Sequence, residues 1–199
     1  MYRAVTLFFL DNYINLTNPK AIEKALSEIN IAFHYNPKSE QNEVFLNGVN
    51  VEKEIRKMHI SDKVSEVSAI PAVRHAMVAQ QQKMGKRRGI VMDGRDIGTR
   101  VFPDAELKIF MTADLDIRAA RRQQELLEKN QLVNLEDIKE NLLHRDLIDT
   151  TRKESPLRQA EGAHLIDTTF ITVEEQIEEV MHLAMGEMIP KKTPDLELV

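Results

Sequence analysis

The sequence predicts an α/β protein built on a parallel sheet, and three observations support that class. Gly89 to Met92, Leu107 to Met111 and Ala163 to Ile166 are short continuous apolar runs bounded by polar or turn residues, the pattern of strands buried on both faces. Helical patterns separate them: Asp114 and Asp116 can cap a helix running through Glu128, and another begins near Leu135-Glu136-Asp137. Strands that alternate with helices pair in parallel. With 42% hydrophobic residues in 199, the chain can also bury a sizeable core, most simply as one domain with a smaller insert.

The remaining elements follow from the N-terminal end. Val5, Leu7, Phe8, Phe9 and Leu10 are too dense for a polar surface and read as the middle or end of a helix with no N-cap before it. Pro19 starts a second helix, Lys20 to Ile29, whose Ile22, Ala25, Leu26 and Ile29 share one face. Ile31 to Tyr35 and Glu43 to Leu46 are β-type runs separated by Asn36-Pro37-Lys38-Ser39-Glu40. Asn47-Gly48 then signals a hairpin before Val49-Asn50-Val51, which makes a small meander. From about Val51 the pattern is helical, punctuated by Pro71, and Ala72 to Lys83 leads to a turn at Lys86-Arg87-Arg88. Thr172-Val173-Glu174-Glu175 resembles a helix start with acidic residues in its first turn, and Ile189 to Val199 reads as loose.

Composition excludes several classes. The absence of cysteine removes disulfide scaffolds, thiolate metal sites and cysteine nucleophiles. The opening apolar run is broken by Asp11 and Asn12 and falls well short of the roughly 18 apolar residues of a membrane span. The default expectation is a cytoplasmic protein with no membrane partner. A net charge of -5 argues against a nucleic-acid polymer as partner, yet the arginines are clustered, so a local anion site is compatible with it. His34, His59, His75 and His144 lack metal-ligand spacing, and no metal site is expected among the side chains.

Three constellations are candidates for chemistry. In Asp93-Gly94-Arg95-Asp96-Ile97-Gly98-Thr99-Arg100 an apolar run ends in charges and glycines, at the carboxyl end of a strand where open parallel sheets collect ligands. Arg95 and Asp96 fit either a ligand edge or a plain ion pair in a turn. Arg145, Asp149 and Arg152 follow one another at i, i+4 and i+7 on one helix face, as a ligand-reading set or as a solvated, salt-bridged face. Arg118, Arg121 and Arg122 lie within one turn of the helix after the second strand, a set of guanidiniums suited to a polyphosphate or simply exposed.

Taken together, DGRDIGTRVFPDAELKIFMTAD, the arginine helix, RDLIDTTRKESPL and HLIDTTFITVEEQIEEV resemble, in order and spacing, the bacterial cytidylate kinases, a branch of the nucleoside monophosphate kinases. The resemblance runs from residue 1 to about residue 185. It implies a P-loop nucleoside monophosphate kinase fold, a five-stranded parallel sheet of order 2-3-1-4-5 with a small three-stranded β insert at about Ile31 to Val51. It also implies a core of residues 1–18 and 67–185 with a lid at about 118–152, a monophosphate-binding insert domain at 19–66 and a loose tail at 186–199. No GxxxxGKS or GxxxxGKT loop occurs in the chain. Beside the family, the chain is therefore expected to be N-terminally truncated, lacking the first two core strands and the roughly 30 residues that carry the phosphate-binding loop. The remaining strands would then leave an open slot through which copies could self-associate.

The resemblance also implies residue roles. Tyr2 and Arg3 correspond to the pair lining the monophosphate pocket, with the arginine holding phosphate. Ser65 matches a base-contacting serine and Arg74 a phosphate-binding arginine. Arg95 and Asp96 fall in the pocket, Asp96 at the cytosine edge or sugar; a carboxylate accepts from the exocyclic amine of cytosine and repels the oxygen that uracil presents there. Arg145, Asp149 and Arg152 match a set that reads phosphate and ribose hydroxyls, with Arg145 also counted among the catalytic arginines. Arg118, Arg121 and Arg122 belong to the lid that closes over donor phosphates. The expected activity is ATP-dependent, magnesium-requiring phosphorylation of CMP and dCMP, with this chain inactive or nearly so without the loop. A non-catalytic CMP-binding module and a structural fragment are the alternatives.

Overall fold

The dense apolar opening run forms the first helix of the computed structural model, which describes residues 1–188. α1, Tyr2–Asp11, has no side-chain cap and buries Ala4, Val5, Leu7 and Phe9. α2, Pro19–Glu28, starts where Asn18 Oδ1 accepts the Ala21 N–H at 3.3 Å, and Pro19 takes the first position, where a missing amide hydrogen costs nothing. β1 (Ile31–Asn36), β2 (Gln41–Leu46) and β3 (Val49–Asn50) form an antiparallel sheet in that order. Its tight turn has Asn47 and Gly48 at φ of 49° and 82°, the pair of positive angles that a two-residue hairpin requires.

A 3-10 turn at Glu54–Arg56 leads into α3, Met58–Ala69, and Pro71 ends that helix while starting α4, Pro71–Met84. Proline disfavours helical geometry in the residue before it, yet suits a first helical turn. These elements share one core in which Val5, Phe9, Ile22, Ile31, Ile60 and Val73 are buried. Burying each such side chain contributes about 1.5–3 kcal/mol.

Gly89 to Met92 is not a strand. The segment has no ladder partner, and Val91 is fully exposed. An apolar run becomes a strand only by pairing, and among the described residues no strand lies beside this one. The segment instead feeds a π-helical turn, Ile97–Val101, in which the carbonyls of Asp96 and Ile97 accept from Val101 and Phe102 at 3.2 and 2.7 Å. The parallel sheet therefore has two strands rather than the three predicted here: β4 (Ile109–Thr112) pairs directly with β5 (His164–Asp167), Ile109 opposite His164 and Thr112 opposite Asp167. Those two runs leave no slot between them.

Between β4 and β5 lie α5 (Leu115–Glu128) and α6 (Leu135–Thr151), the latter capped by Asn134 Oδ1 on the Glu136 N–H at 3.1 Å. α5 and α6 enclose a second, smaller core of Ala119, Leu126 and Ile138, which Met58 joins from α3. α3 packs on both α1 and α6, and so forms the wall between the two cores. α7, Val173–Met188, follows β5 and continues through residues 186–188, where the loose tail was expected to begin; residues 189–199 lie outside the described part. Among the described residues no helix is long and apolar enough to cross a membrane.

Candidate functional site

α3 turns Ser61, Ser65 and Ser68, spaced i, i+4 and i+7, toward α6, which turns back Arg145 and Asp149, with Arg152 just past its end. The first turn of α1, the start of α4 and the loop before the π-helical turn close the space around them.

At the inner end, Arg74 and Asp96 form an ion pair in which each side chain is only 2% exposed. The other Arg74 Nη donates to the Ser68 carbonyl at 3.1 Å, and its guanidinium carbon lies 5.1 Å from the centre of the Tyr2 ring. A lone ion buried this deeply costs several kcal/mol, so each partner depends on the other. The Tyr2 hydroxyl and Arg74 Nε are buried with no hydrogen-bond partner among the described residues. Burial pushes the Tyr2 phenol up to about 12, against the opposing charge of Arg74.

Asp149 occupies the middle, bridging two arginines. Its Oδ1 accepts from Arg152 Nη1 at 2.8 Å and its Oδ2 from Arg95 Nε at 3.2 Å. Arg152 also donates to the Ser155 carbonyl at 3.1 and 3.0 Å and to Ser68 Oγ at 3.3 Å. Asp149 and Arg152 are both buried, which rules out a solvated helix face.

The outer end is cationic. Arg3 is lowered to about 9, first by burial and then by the charges of Arg145, Arg122, Arg56 and Arg95. Burial and the charge of Arg95 also lower Arg145, with Asp149 opposing. Arg56 is neutralised by Glu52 at 2.7 Å and Arg122 by Glu125 at 2.6 Å. Arg3 donates only to the Ile55 carbonyl at 3.0 Å and Arg145 only to Ser61 Oγ at 3.2 Å, so neither has an acidic partner among the described residues. Arg145 Nε is buried and unpartnered. Two desolvated guanidiniums without a carboxylate are what a phosphate, with its several acceptor oxygens, would stabilise.

The structure thus gathers Tyr2, Ser65, Arg74, Asp96, Asp149 and Arg152 at the inner end and middle, and Arg3, Arg95, Arg122 and Arg145 at the outer end. Arg74, expected at a phosphate, is held instead by Asp96 and Ser68, beside Tyr2 and Arg152. The α5 arginines do not converge: Arg118 binds Asp146 at 2.7 Å, Arg121 binds Thr168 Oγ1 at 3.0 Å and the carbonyl of Ile171, and only Arg122 reaches the outer end, donating to the Arg56 carbonyl at 2.9 Å. Sequence reasoning missed Arg56, Ser61 and Ser68. Among the described residues no group of three or more acidic or imidazole side chains could hold a metal ion.

The sequence profile of the family described as "Cytidylate kinase" matches residues 1–185. A cytidylate kinase of Cytophaga hutchinsonii is 63% identical over 189 residues, 95% of this chain and 81% of that protein. One from Bacteroides fragilis is 52% identical over 184 residues, 91% and 80% of the two chains, and one from Flavobacterium psychrophilum is 50% identical over 186 residues, 92% and 82%.

Proposed function

The chain belongs to the cytidylate kinase family of phosphotransferases, and on that premise we propose that the wall between α3 and α6 is the acceptor site for CMP and dCMP, with ATP as phosphoryl donor. The observation that supports this most is the pairing of opposites along one wall: a buried carboxylate at the inner end, and two half-buried arginines, Arg3 and Arg145, without acidic partners among the described residues at the outer end.

A nucleoside monophosphate matches that polarity. Its base goes to the inner end, where Asp96, held and aimed by Arg74, accepts from the exocyclic amine of cytosine and repels the carbonyl oxygen of uracil, with Ser65 alongside. Asp149, steadied by Arg95 and Arg152, accepts from the sugar hydroxyls. The phosphate meets Arg3 and Arg145, with Arg95 and Arg122 near them. Phosphoryl transfer depends on alignment and charge neutralisation, and these cations both orient the acceptor oxygen and offset the repulsion between two polyanionic substrates. Arg118 and Arg121 belong to the lid over the donor. Magnesium comes to such reactions on the phosphates of the donor, and no protein ligand is assigned to it here.

The 199 residues contain no GxxxxGKS or GxxxxGKT loop to hold donor phosphates. By itself this chain is therefore expected to bind CMP while turning over poorly. Isothermal titration with CMP and UMP, beside an ADP-release assay, tests both halves. The expected result is CMP bound at least about tenfold more tightly than UMP, in line with the cost of an unpaired buried polar group. Equal affinities would overturn the role of Asp96, and ADP release at the rate of a cytidylate kinase that has the loop would overturn the expectation of poor turnover.

A further inference from the structure

The face of α3 against α6 carries hydroxyls where a helix interface is ordinarily apolar. Ser61 and Ser68 are 1% and 6% exposed. They stand seven residues apart, as Arg145 and Arg152 do across the interface, and each serine meets one arginine: Arg145 Nη1 donates to Ser61 Oγ at 3.2 Å and Arg152 Nη1 to Ser68 Oγ at 3.3 Å.

Both hydroxyl hydrogens are committed elsewhere. Ser61 donates to Asn141 Oδ1 at 3.4 Å, and Asn141 in turn donates to the Asp62 carboxylate at 2.8 Å. Ser68 donates to the Ser65 carbonyl at 3.0 Å. Each serine oxygen therefore faces its guanidinium as an acceptor, and the Ser61 chain, ending on a carboxylate, is polarised in the sense that strengthens that acceptance. Helix formation does not call for these residues, since alanine is the better helix former. For Arg145 the Ser61 oxygen is the one hydrogen-bond partner among the described residues, so its head group has no other fixed point there. Ser68 acts twice, because its carbonyl also accepts from Arg74 Nη1 at 3.1 Å.

We infer that Ser61 and Ser68 are positioning residues for the acceptor nucleotide, Ser61 setting Arg145 toward the phosphate and Ser68 setting Arg152 and Arg74 toward the nucleoside. The inference rests on the acceptor-site assignment above and divides the site into two ends that can be perturbed separately.

Isothermal titration of the intact chain with CMP and with cytidine tests it, using Ser61→Ala, Ser61→Thr and Ser68→Ala and recording melting temperatures alongside. Ser61→Ala should weaken CMP roughly tenfold and cytidine by less than about twofold, the loss expected for a hydrogen bond to a charged group. Ser61→Thr, which keeps the hydroxyl, should recover the CMP affinity. Ser68→Ala should weaken both ligands by the same factor. A Ser61→Ala chain that binds CMP like the wild type overturns the role of Ser61, and so does one that loses both ligands equally with a lowered melting temperature. A wild-type chain that prefers CMP to cytidine by no margin overturns the acceptor-site assignment itself, and this inference with it, before any variant is made.

Discussion

The wall between α3 and α6 and the elements β4, β5 and α7 differ in what they leave uncovered. In the wall, charged groups are buried and held by directional bonds: Arg74 on Asp96, Arg152 on Asp149 and Ser155. Along β4, β5 and α7, Met111, Leu165, Ile177 and Met181 are at least half exposed, and among the described residues β4 and β5 pair only with each other. A buried ion pair is strongly destabilising once one partner is removed, because the other charge is left uncompensated, whereas a half-exposed apolar side chain has little burial to lose. Sensitivity to substitution should therefore concentrate in the wall.

The largest effect that follows is at Asp96. Asp96→Ala leaves the Arg74 guanidinium buried without its counter-charge and should destabilise the chain by about 3–5 kcal/mol in urea denaturation. Met181→Ala on α7 should stay within about 1 kcal/mol. Replacing both members of the pair, Arg74→Leu with Asp96→Leu, should recover much of the loss, because an apolar pair carries no desolvation cost. Comparable losses at Asp96 and Met181 would break the contrast between the two regions.

Next in size is the separation of binding from stability within the wall itself. In the free chain Arg3 is disfavoured by burial and by the charge of Arg145, and Arg145 by burial and by the charge of Arg95. Arg145→Ala should therefore weaken CMP by about 10- to 100-fold, the range for charge-assisted bonds to phosphate, with the ligand-free melting temperature unchanged or raised. Calorimetry with and without CMP reads both. A variant that loses ligand-free stability as Asp96→Ala does would show Arg145 to be a structural partner like Arg74, and the outer end would then not differ from the inner.

What could be read in the sequence was set by how local each cause is. Asn47-Gly48 and Pro19 act within a few residues, and the turn and the helix start lie where they predict. The i, i+4, i+7 spacing of Arg145, Asp149 and Arg152 places them on one side of α6 whatever that side faces. Gly89 to Met92 has the apolar character of a strand, but pairing needs a neighbour that the run itself does not specify. Arg118, Arg121 and Arg122 look alike on their helix turn and reach three different partners, because the partners come from α6, the end of β5 and the turn before α3. Serine is nearly neutral within a helix, so Ser61 and Ser68 show only in retrospect, through a seven-residue spacing that matches Arg145 and Arg152. Arg56 is brought in by tertiary structure alone and has no such signal.

The smallest expected effect is on the acid limb of stability, and it compares the two regions directly. On α5, at the rim of the wall, Glu125 accepts from Arg122 and from Lys129, each at 2.6 Å. Burial works to raise its pKa, but the bonds from Lys129 and Arg122 outweigh it and hold the carboxyl at about 2, below the ordinary 4.5. The folded carboxyl thus binds its proton less tightly than the unfolded one, so its contribution is complete above pH 4.5 and disappears as pH falls toward 2. The amount is modest, because the Glu125 side chain is 42% exposed and surface pairs contribute about 1 kcal/mol or less. At the end of β5, Asp167 is lowered too, by the hydroxyl and amide of Thr169 at 2.6 and 2.9 Å. Glu125→Gln should flatten the stability curve between pH 4.5 and 2 in acid titrations followed by denaturation, while Asp167→Asn, on a fully solvated group, should change it less. The reverse order would place the acid-sensitive contacts in the sheet unit, and the wall would then owe its stability to the buried pairs alone.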